Sequence, residues 1–100
     1  MSDMVAHIYN RNDGSPDGPV AMVVLQGGRL LFFAPPGSPF SAKARSLNIR
    51  AAELDEEEAS DYFDTYVDRW NGQNLHAVVA DLTGKEARKV EAMKAKWRGA

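Results

Sequence analysis

Two short apolar segments separated by a pair of glycines constrain this chain more than any other feature of its sequence. The segments cover residues 20–26 and 29–34, and they are rich in β-branched, aromatic and other apolar residues, a composition that is typical of strands. Gly27 and Gly28 between them can adopt the positive φ angles that a two-residue hairpin turn requires. The sequence therefore predicts a β-hairpin whose turn fixes which residues pair.

The predicted register makes both faces of this hairpin apolar. With Gln26 opposite Arg29, one face carries Val23, Leu25, Leu30 and Phe32, and the other carries Met22, Val24, Leu31 and Phe33. An antiparallel sheet with one face in water would alternate apolar and polar residues instead. Each face of the hairpin therefore needs a cover.

The cover of the second face has two possible sources. Apolar surface that is left exposed usually marks an interface, so one prediction is a homodimer. The residues predicted for self-association are Met22, Val24, Leu31 and Phe33. The alternative, which the residues leave open, is that both faces are buried within one chain.

Further strands and helices follow from periodicity and from local start signals. Strands are predicted over residues 4–10 and 75–81, and turn residues are dense between residues 11 and 18. A helix is predicted to begin at Ser38 and Pro39. Two more helices begin at residue pairs with capping-box spacing. The pairs are Asp55 with Glu58 and Thr83 with Glu86.

The order of these elements predicts an α+β fold. A strand and a hairpin come first, and two helices, a strand and a helix follow. This pattern favours a small, mostly antiparallel sheet of about four strands with two to three helices packed on one face. A length of 100 residues predicts a single domain over residues 1–100.

Composition excludes several classes of chemistry and of location. The chain has no cysteine, which excludes disulfides, thiolate metal sites and a cysteine nucleophile. Its longest apolar run, residues 20–25, is far shorter than the roughly 20 residues of a membrane span. The first residues lack the pattern of a signal peptide. We therefore expect a cytoplasmic protein that does not associate with membranes.

Charge is distributed unevenly along the chain, although the net charge is only −2. Residues 1–52 carry five basic and three acidic residues, and residues 53–68 carry eight acidic residues and no basic one. Residues 69–100 carry seven basic and three acidic residues. Such an acidic block between basic ones points to an interaction surface.

Four carboxylates of the acidic block share one face of the second predicted helix. They are Glu57, Asp61, Asp64 and Asp68, at the spacing i, i+4, i+7 and i+11. Asp64 and Asp68 lie toward the negative end of the helix dipole and repel their neighbours. We therefore predict that this row docks a partner protein with a basic surface, such as the nucleic-acid-binding groove of another protein.

Two other interpretations of the acidic row remain open. It can be an ordinary solvated helix face. It can also be neutralised within the chain, because three lysines share one face of the last helix. These lysines are Lys85, Lys89 and Lys96.

The basic last helix supports a first alternative function, direct nucleic-acid binding. Its cations are Lys85, Arg88, Lys89, Lys94, Lys96 and Arg98, which resemble a phosphate-contacting surface. Glu86 and Glu91 interrupt this set of cations, however, and the chain as a whole is acidic. A nucleic-acid-binding domain is usually basic, which argues against this function.

The second alternative is a small enzyme with an acid–base pair formed by His7 and His76. Both histidines lie in predicted strands, and they would meet if the first and fourth strands pair. No serine has the setting of a nucleophile elbow. Asp13 and Asp17 resemble the start of a calcium loop, but Val24 stands where its glutamate ligand belongs. The sequence thus predicts no catalytic residue, metal or cofactor.

The leading hypothesis from the sequence is therefore a non-enzymatic interaction module. It would act as a small regulator, adaptor or inhibitor through the acidic row on the second helix.

Overall fold

The computed structural model of this chain describes residues 3–11, 18–70 and 74–98, and only the backbone of residues 69 and 70. Within these residues the strands are β1 (Met4–Asn10), β2 (Ala21–Gln26), β3 (Arg29–Phe33) and β4 (Leu75–Asp81). The helices are α1 (Pro39–Ala51), α2 (Glu56–Trp70) and α3 (Gly84–Arg98). The strand order is β3-β2-β1-β4, and all neighbours are antiparallel. The predicted α+β fold class is confirmed.

The hairpin of β2 and β3 has the predicted turn and the predicted register. Gly27 and Gly28 have φ angles of 60° and 75°, in the left-handed region that glycine adopts without steric cost. Gln26 pairs with Arg29, and the pairing continues in step to Met22 and Phe33. Since a two-residue turn leaves no freedom in the pairing, this part of the fold follows from local sequence.

The first face of the sheet is covered by α1 and α2, as predicted. Its core contains residues of three strands and two helices: Ala6, Ile8, Val23, Leu25, Leu30, Phe32, Ala44, Leu47, Ala59, Phe63 and Tyr66. The ring of Tyr66 meets the ring of Phe32 edge to face, with centroids 5.3 Å apart. This geometry is the favoured one for an aromatic pair, and it fixes α2 over β3.

The second face of the sheet is covered by α3. Val90 and Trp97 of this helix form a separate core cluster with Val5, Met22 and Val24. The chain therefore has three layers, with two helices on one side of the sheet and one helix on the other. The interpretation in which both faces of the hairpin are buried within one chain describes this structure.

This arrangement corrects the site predicted for self-association. Met22 and Val24 have 0% exposure, so they cannot form an interface between copies of this fold. Leu31 and Phe33 are half-buried, and the Lys94 ammonium lies 5.1 Å from the centroid of the Phe33 ring. The prediction is wrong for Met22 and Val24, because α3 supplies the cover that the prediction assigns to a second copy. Homodimer formation itself stays a prediction.

Of the two capping boxes predicted at helix starts, the structure forms one and not the other. At the start of α2, the Glu58 N–H donates to Asp55 Oδ1 at 2.8 Å and the Asp55 N–H donates to Glu58 Oε1 at 3.2 Å. This is the predicted capping box. The box predicted at Thr83 and Glu86 does not form, because the Thr83 N–H donates to the Asp81 carbonyl and the Glu86 carboxylate contacts His7 and Lys89.

This difference predicts unequal effects of two cap substitutions. Asp55→Ala should lower the free energy of unfolding by about 1 kcal/mol, since it removes a formed cap. Thr83→Ala should change it by less than about 0.5 kcal/mol, as expected for an exposed residue away from such a feature. Urea unfolding followed by circular dichroism measures both values. Equal losses for the two variants would contradict the assignment of the caps.

Some predicted features lie outside the described residues. They are most of the loop between β1 and β2 (residues 12–17), the helix end at Asn71 and Gly72, and the side chain of Trp70. None of the helices in the described part of the chain is both long enough and apolar enough to span a membrane.

Candidate functional site

The four carboxylates of the predicted acidic row all lie on the exposed side of α2. Glu57, Asp61, Asp64 and Asp68 are exposed, and the row they form is about 16 Å long, given the rise of an α-helix. None of the four side chains forms an ion pair or hydrogen bond with another side chain that the structure describes. The structure thus presents the row to solvent with its charge uncompensated by described neighbours.

The interpretation in which α3 neutralises this row is wrong. Because α2 and α3 pack on opposite faces of the sheet, the sheet separates the row from Lys85, Lys89 and Lys96. Lys89 instead contacts Glu86 of its own helix, with 3.5 Å between Nζ and Oε1. The acidic helix α2 and the basic helix α3 therefore lie on opposite sides of the sheet.

An apolar groove runs beside the C-terminal half of the acidic row, between α2 and the edge strand β4. We call it the α2–β4 groove, and its volume is 390 Å³. Its lining consists of Met4, Leu25, Ser60, Phe63, Asp64, Val67, Asp68 and Val79. Val79 is 44% exposed, so the groove offers apolar contact area directly beside two carboxylates.

A second groove lies on the opposite face, between α3 and the strands β1 and β4. We call it the α3–β4 groove, and its volume is 410 Å³. His7, Tyr9, Val78, Glu86, Met93 and Lys96 are among its lining residues.

No protein-family model, curated protein or solved structure matches the chain. Among the described residues, no three His, Asp or Glu side chains are arranged to hold a metal ion.

The two histidines lie on neighbouring strands, as the enzyme alternative requires. His7 is opposite Val78 and His76 is opposite Tyr9, so the two rings are on the same face, two positions apart along β4. His76 is exposed, whereas His7 is 8% exposed and directs Nε2 toward Glu86 Oε2 at 3.4 Å. The described partner of His7 is therefore Glu86 and not His76.

Sequence reasoning missed Glu86 because it assigned this residue to a helix cap. A signal was present in the spacing along α3. Glu86, Val90, Met93 and Trp97 follow the pattern i, i+4, i+7 and i+11, which places the carboxylate on the same helix face as the buried side chains. A carboxylate on a core-facing stripe needs a polar partner, and His7 is the buried polar residue of the opposing strand.

The basic helix α3 does not present all its cations to solvent. Lys94 is half-buried, lies over Phe33 and contacts Glu91 Oε1 at 3.3 Å. Lys89 contacts Glu86. The remaining cations of the helix, Lys85, Arg88, Lys96 and Arg98, are exposed. Direct nucleic-acid binding by this helix stays a prediction.

Proposed function

We propose that this chain is a non-enzymatic protein-interaction module that docks a basic partner protein on the acidic row of α2. It would act as a small regulator, adaptor or inhibitor of that partner. The observation that carries the proposal is the exposed row of four carboxylates, uncompensated by any side chain that the structure describes. The second alternative, an enzyme using His7 and His76, loses support because His7 contacts Glu86 instead.

Energetics support a role for the row outside the chain. Like charges at helical spacing destabilise a helix by about 0.2–0.5 kcal/mol per pair. Asp68 adds to this cost, because it stands in the last turn of α2, near the negative end of the dipole. Of the four, only Glu57 lies in the first turn of α2, where the dipole favours a negative charge, so Asp61, Asp64 and Asp68 receive no such stabilisation. A surface that is unfavourable for the folded chain is expected where binding requires it.

The groove beside the row indicates the chemistry of the partner. Asp64 and Asp68 line the α2–β4 groove together with the exposed Val79. A partner that places lysine or arginine side chains beside an apolar side chain would match both features. The charges would steer the encounter, and the apolar contact would slow dissociation. A nucleic-acid-binding surface is one such basic partner, because a row of carboxylates offers it negative charge as phosphates do.

The test is a charge reversal of the row. The triple variant Asp61→Lys, Asp64→Lys, Asp68→Lys should bind the partner at least about a hundredfold more weakly, because like charges across an interface cost several kcal/mol. The partner is first captured from the lysate of the native host and identified by mass spectrometry. The affinities of the purified proteins are then compared by isothermal titration calorimetry.

A matched control distinguishes an effect of the acidic row from an effect of the net charge of the chain. Glu53→Lys, Asp81→Lys, Glu91→Lys makes the same change in charge at exposed positions outside the row, and it also removes the surface ion pair of Glu91 with Lys94, which contributes about 1 kcal/mol or less. This control should bind within about threefold of the wild type at physiological salt, since charges outside the contact area act only through long-range attraction, which salt screens. The triple variant of the row should also be at least as stable to urea as the wild type. Unchanged binding by the row variant, or equal losses in both variants, would refute the proposal.

A further inference from the structure

A pocket between α1 and α2 opens beside the N-terminal half of the acidic row. We call it the α1–α2 pocket, and its volume is 310 Å³, at the lower end of the range of about 300–1,000 Å³ for small-ligand sites. Its floor is buried and apolar, and its rim is polar. The floor is formed by Leu30, Leu47 and Ala51, and the rim by Arg50, Glu53, Glu58 and Tyr62. A pocket of this size accommodates a single long side chain.

Tyr62 presents one open face of its ring to this pocket. The ring stacks on the ring of Tyr66, with centroids 5.7 Å apart and 26° between the planes. Tyr66 is buried, whereas Tyr62 is 41% exposed. Glu58, Tyr62 and Tyr66 follow one another at i, i+4 and i+8 on one face of α2, so Tyr66 covers the ring face that is directed toward the C-terminus of the helix. The open face of Tyr62 is therefore directed toward Glu58.

The Glu58 carboxylate has an oxygen available beside this open ring face. Its Oε1 accepts the Asp55 N–H of the capping box at 3.2 Å, and its Oε2 has no partner among the described residues. Side chains at i and i+4 of a helix have Cβ atoms about 5–6 Å apart, and a cation binds a ring within about 6 Å of its centroid. One cationic group can therefore contact the Tyr62 ring and the Glu58 carboxylate at the same time.

The charges of the rim favour a cation, and the ring favours a planar one. Glu53 and Glu58 outnumber Arg50, and none of the three forms an ion pair with a described residue. A guanidinium group stacks on an aromatic face and is more weakly hydrated than an ammonium group. The apolar floor suits the methylene groups that carry a guanidinium in an arginine side chain. These features together match arginine better than lysine.

We infer that the α1–α2 pocket binds an arginine side chain of the basic partner. The guanidinium lies on the open face of Tyr62 and pairs with Glu58, and its methylene groups contact the floor of the pocket. This site rests on the proposed function, because the partner that supplies the arginine is the one that docks on the acidic row. Glu57 and Asp61 of the row precede Glu58 and Tyr62 by one residue each, so a partner on the row also covers the mouth of the pocket.

The arginine site is tested first without the partner. The probe is N-acetylargininamide, added to the full chain and followed by ¹H–¹⁵N correlation spectra. Its expected dissociation constant is about 5 mM, as for a small ligand held by one exposed cation–π contact and one exposed ion pair. The shifted amides should lie in residues 50–54 and in the first two turns of α2. N-acetyllysinamide should bind about threefold to fivefold more weakly, and the uncharged N-acetylcitrullinamide at least about fivefold more weakly.

Variants of the pocket assign the two contacts of the guanidinium. Glu58→Gln keeps a residue type that forms a capping box and removes the charge, so it should weaken binding of the arginine probe about threefold to fivefold. Glu56→Gln is its matched control, because it removes the same charge from the same turn outside the pocket, and it should have almost no effect. Tyr62→Leu should weaken binding about threefold, whereas Tyr62→Phe keeps the ring and should bind as the wild type does. Arg50→Gln should strengthen binding about twofold, since it removes a like charge.

The complex with the captured partner then tests the source of the arginine. Tyr62→Leu should weaken partner binding at least about fivefold by isothermal titration calorimetry, as expected for an anchor residue of an interface, and Tyr62→Phe should not. In this comparison the charge control is Asp81→Lys, Glu91→Lys, because Glu53 lines the pocket. Loss of binding in Tyr62→Leu without loss in the charge reversal of the row would refute the acidic row and support the arginine site. The opposite result would refute the arginine site and support the row.

Several results with the probe would also overturn the inference. No shift at about ten times the expected dissociation constant, shifts confined to the α3 side of the sheet, or equal affinities of the arginine and citrulline probes would each exclude this site. Unchanged binding of the arginine probe in both Glu58→Gln and Tyr62→Leu would exclude it as well.

Discussion

Trp97→Ala should lower the free energy of unfolding by about 3–5 kcal/mol, the range for truncation of a large buried aromatic side chain. Trp97 is 7% exposed and is the largest side chain that α3 contributes to the cluster with Val5, Met22 and Val24. Its removal would uncover the second face of the sheet. We therefore also expect the variant to associate more than the wild type as concentration rises. Urea unfolding and light scattering measure the two effects.

Ile49→Ala is the matched control for this prediction. Ile49 is the most exposed of the large apolar residues that the structure describes, at 71%, so its truncation should change stability by less than about 0.5 kcal/mol. If Trp97→Ala were as mild as Ile49→Ala, α3 would not be the cover of the second face. The reassignment of Met22 and Val24 from an interface to the core would then fail.

Asn48→Leu should have the second largest effect, a loss of about 2–3 kcal/mol. The side chain of Asn48 on α1 pairs with the backbone of the edge strand β3. The Phe32 N–H donates to Oδ1 at 2.7 Å, and Nδ2 donates to the Phe32 carbonyl at 2.8 Å. Leucine would leave both backbone groups without these partners, at about 1 kcal/mol or more for each bond. The unfolding free energy from urea titration gives the loss.

Two further variants test this role of Asn48. Asn48→Asp keeps the acceptor for the Phe32 N–H but sets a carboxylate oxygen against the Phe32 carbonyl, so it should also lose stability. Ser46→Leu introduces the same side chain at an exposed position of the same helix and should be nearly neutral. Asn48→Leu should also promote association through the β3 edge, since an unprotected edge strand is a template for pairing. Equal stabilities of Asn48→Leu and Ser46→Leu would contradict the pairing.

The parts of the fold that follow from the sequence are those set by local spacing. Gly27 and Gly28 determine the hairpin register because a two-residue turn permits only one pairing. Asp55 and Glu58 form a capping box because three residues of separation bring both groups to the first turn of α2. The acidic row on α2 is exposed because the buried residues Ala59, Phe63 and Tyr66 occupy the other side of that helix.

The parts that could not be predicted depend on which distant elements meet. The stripe of Val90 and Trp97 would fit either apolar face of the sheet, so periodicity alone does not place α3. Asn48 looks like an ordinary surface residue of a helix, because only the folded structure brings it beside the edge of β3. His7 and Glu86 are 79 residues apart in sequence, and no local rule joins them.

The packing of α3 on the sheet face opposite α1 and α2 is the claim on which the other conclusions depend. It buries Met22 and Val24, it forms the α3–β4 groove, and it keeps the lysines of α3 away from the acidic row of α2. Nuclear Overhauser spectroscopy of the labelled chain tests it directly. We predict contacts from the indole protons of Trp97 to the methyl groups of Val5, Met22 and Val24, and none to α2. Contacts from Trp97 or Val90 to Phe63 or Val67 would contradict it.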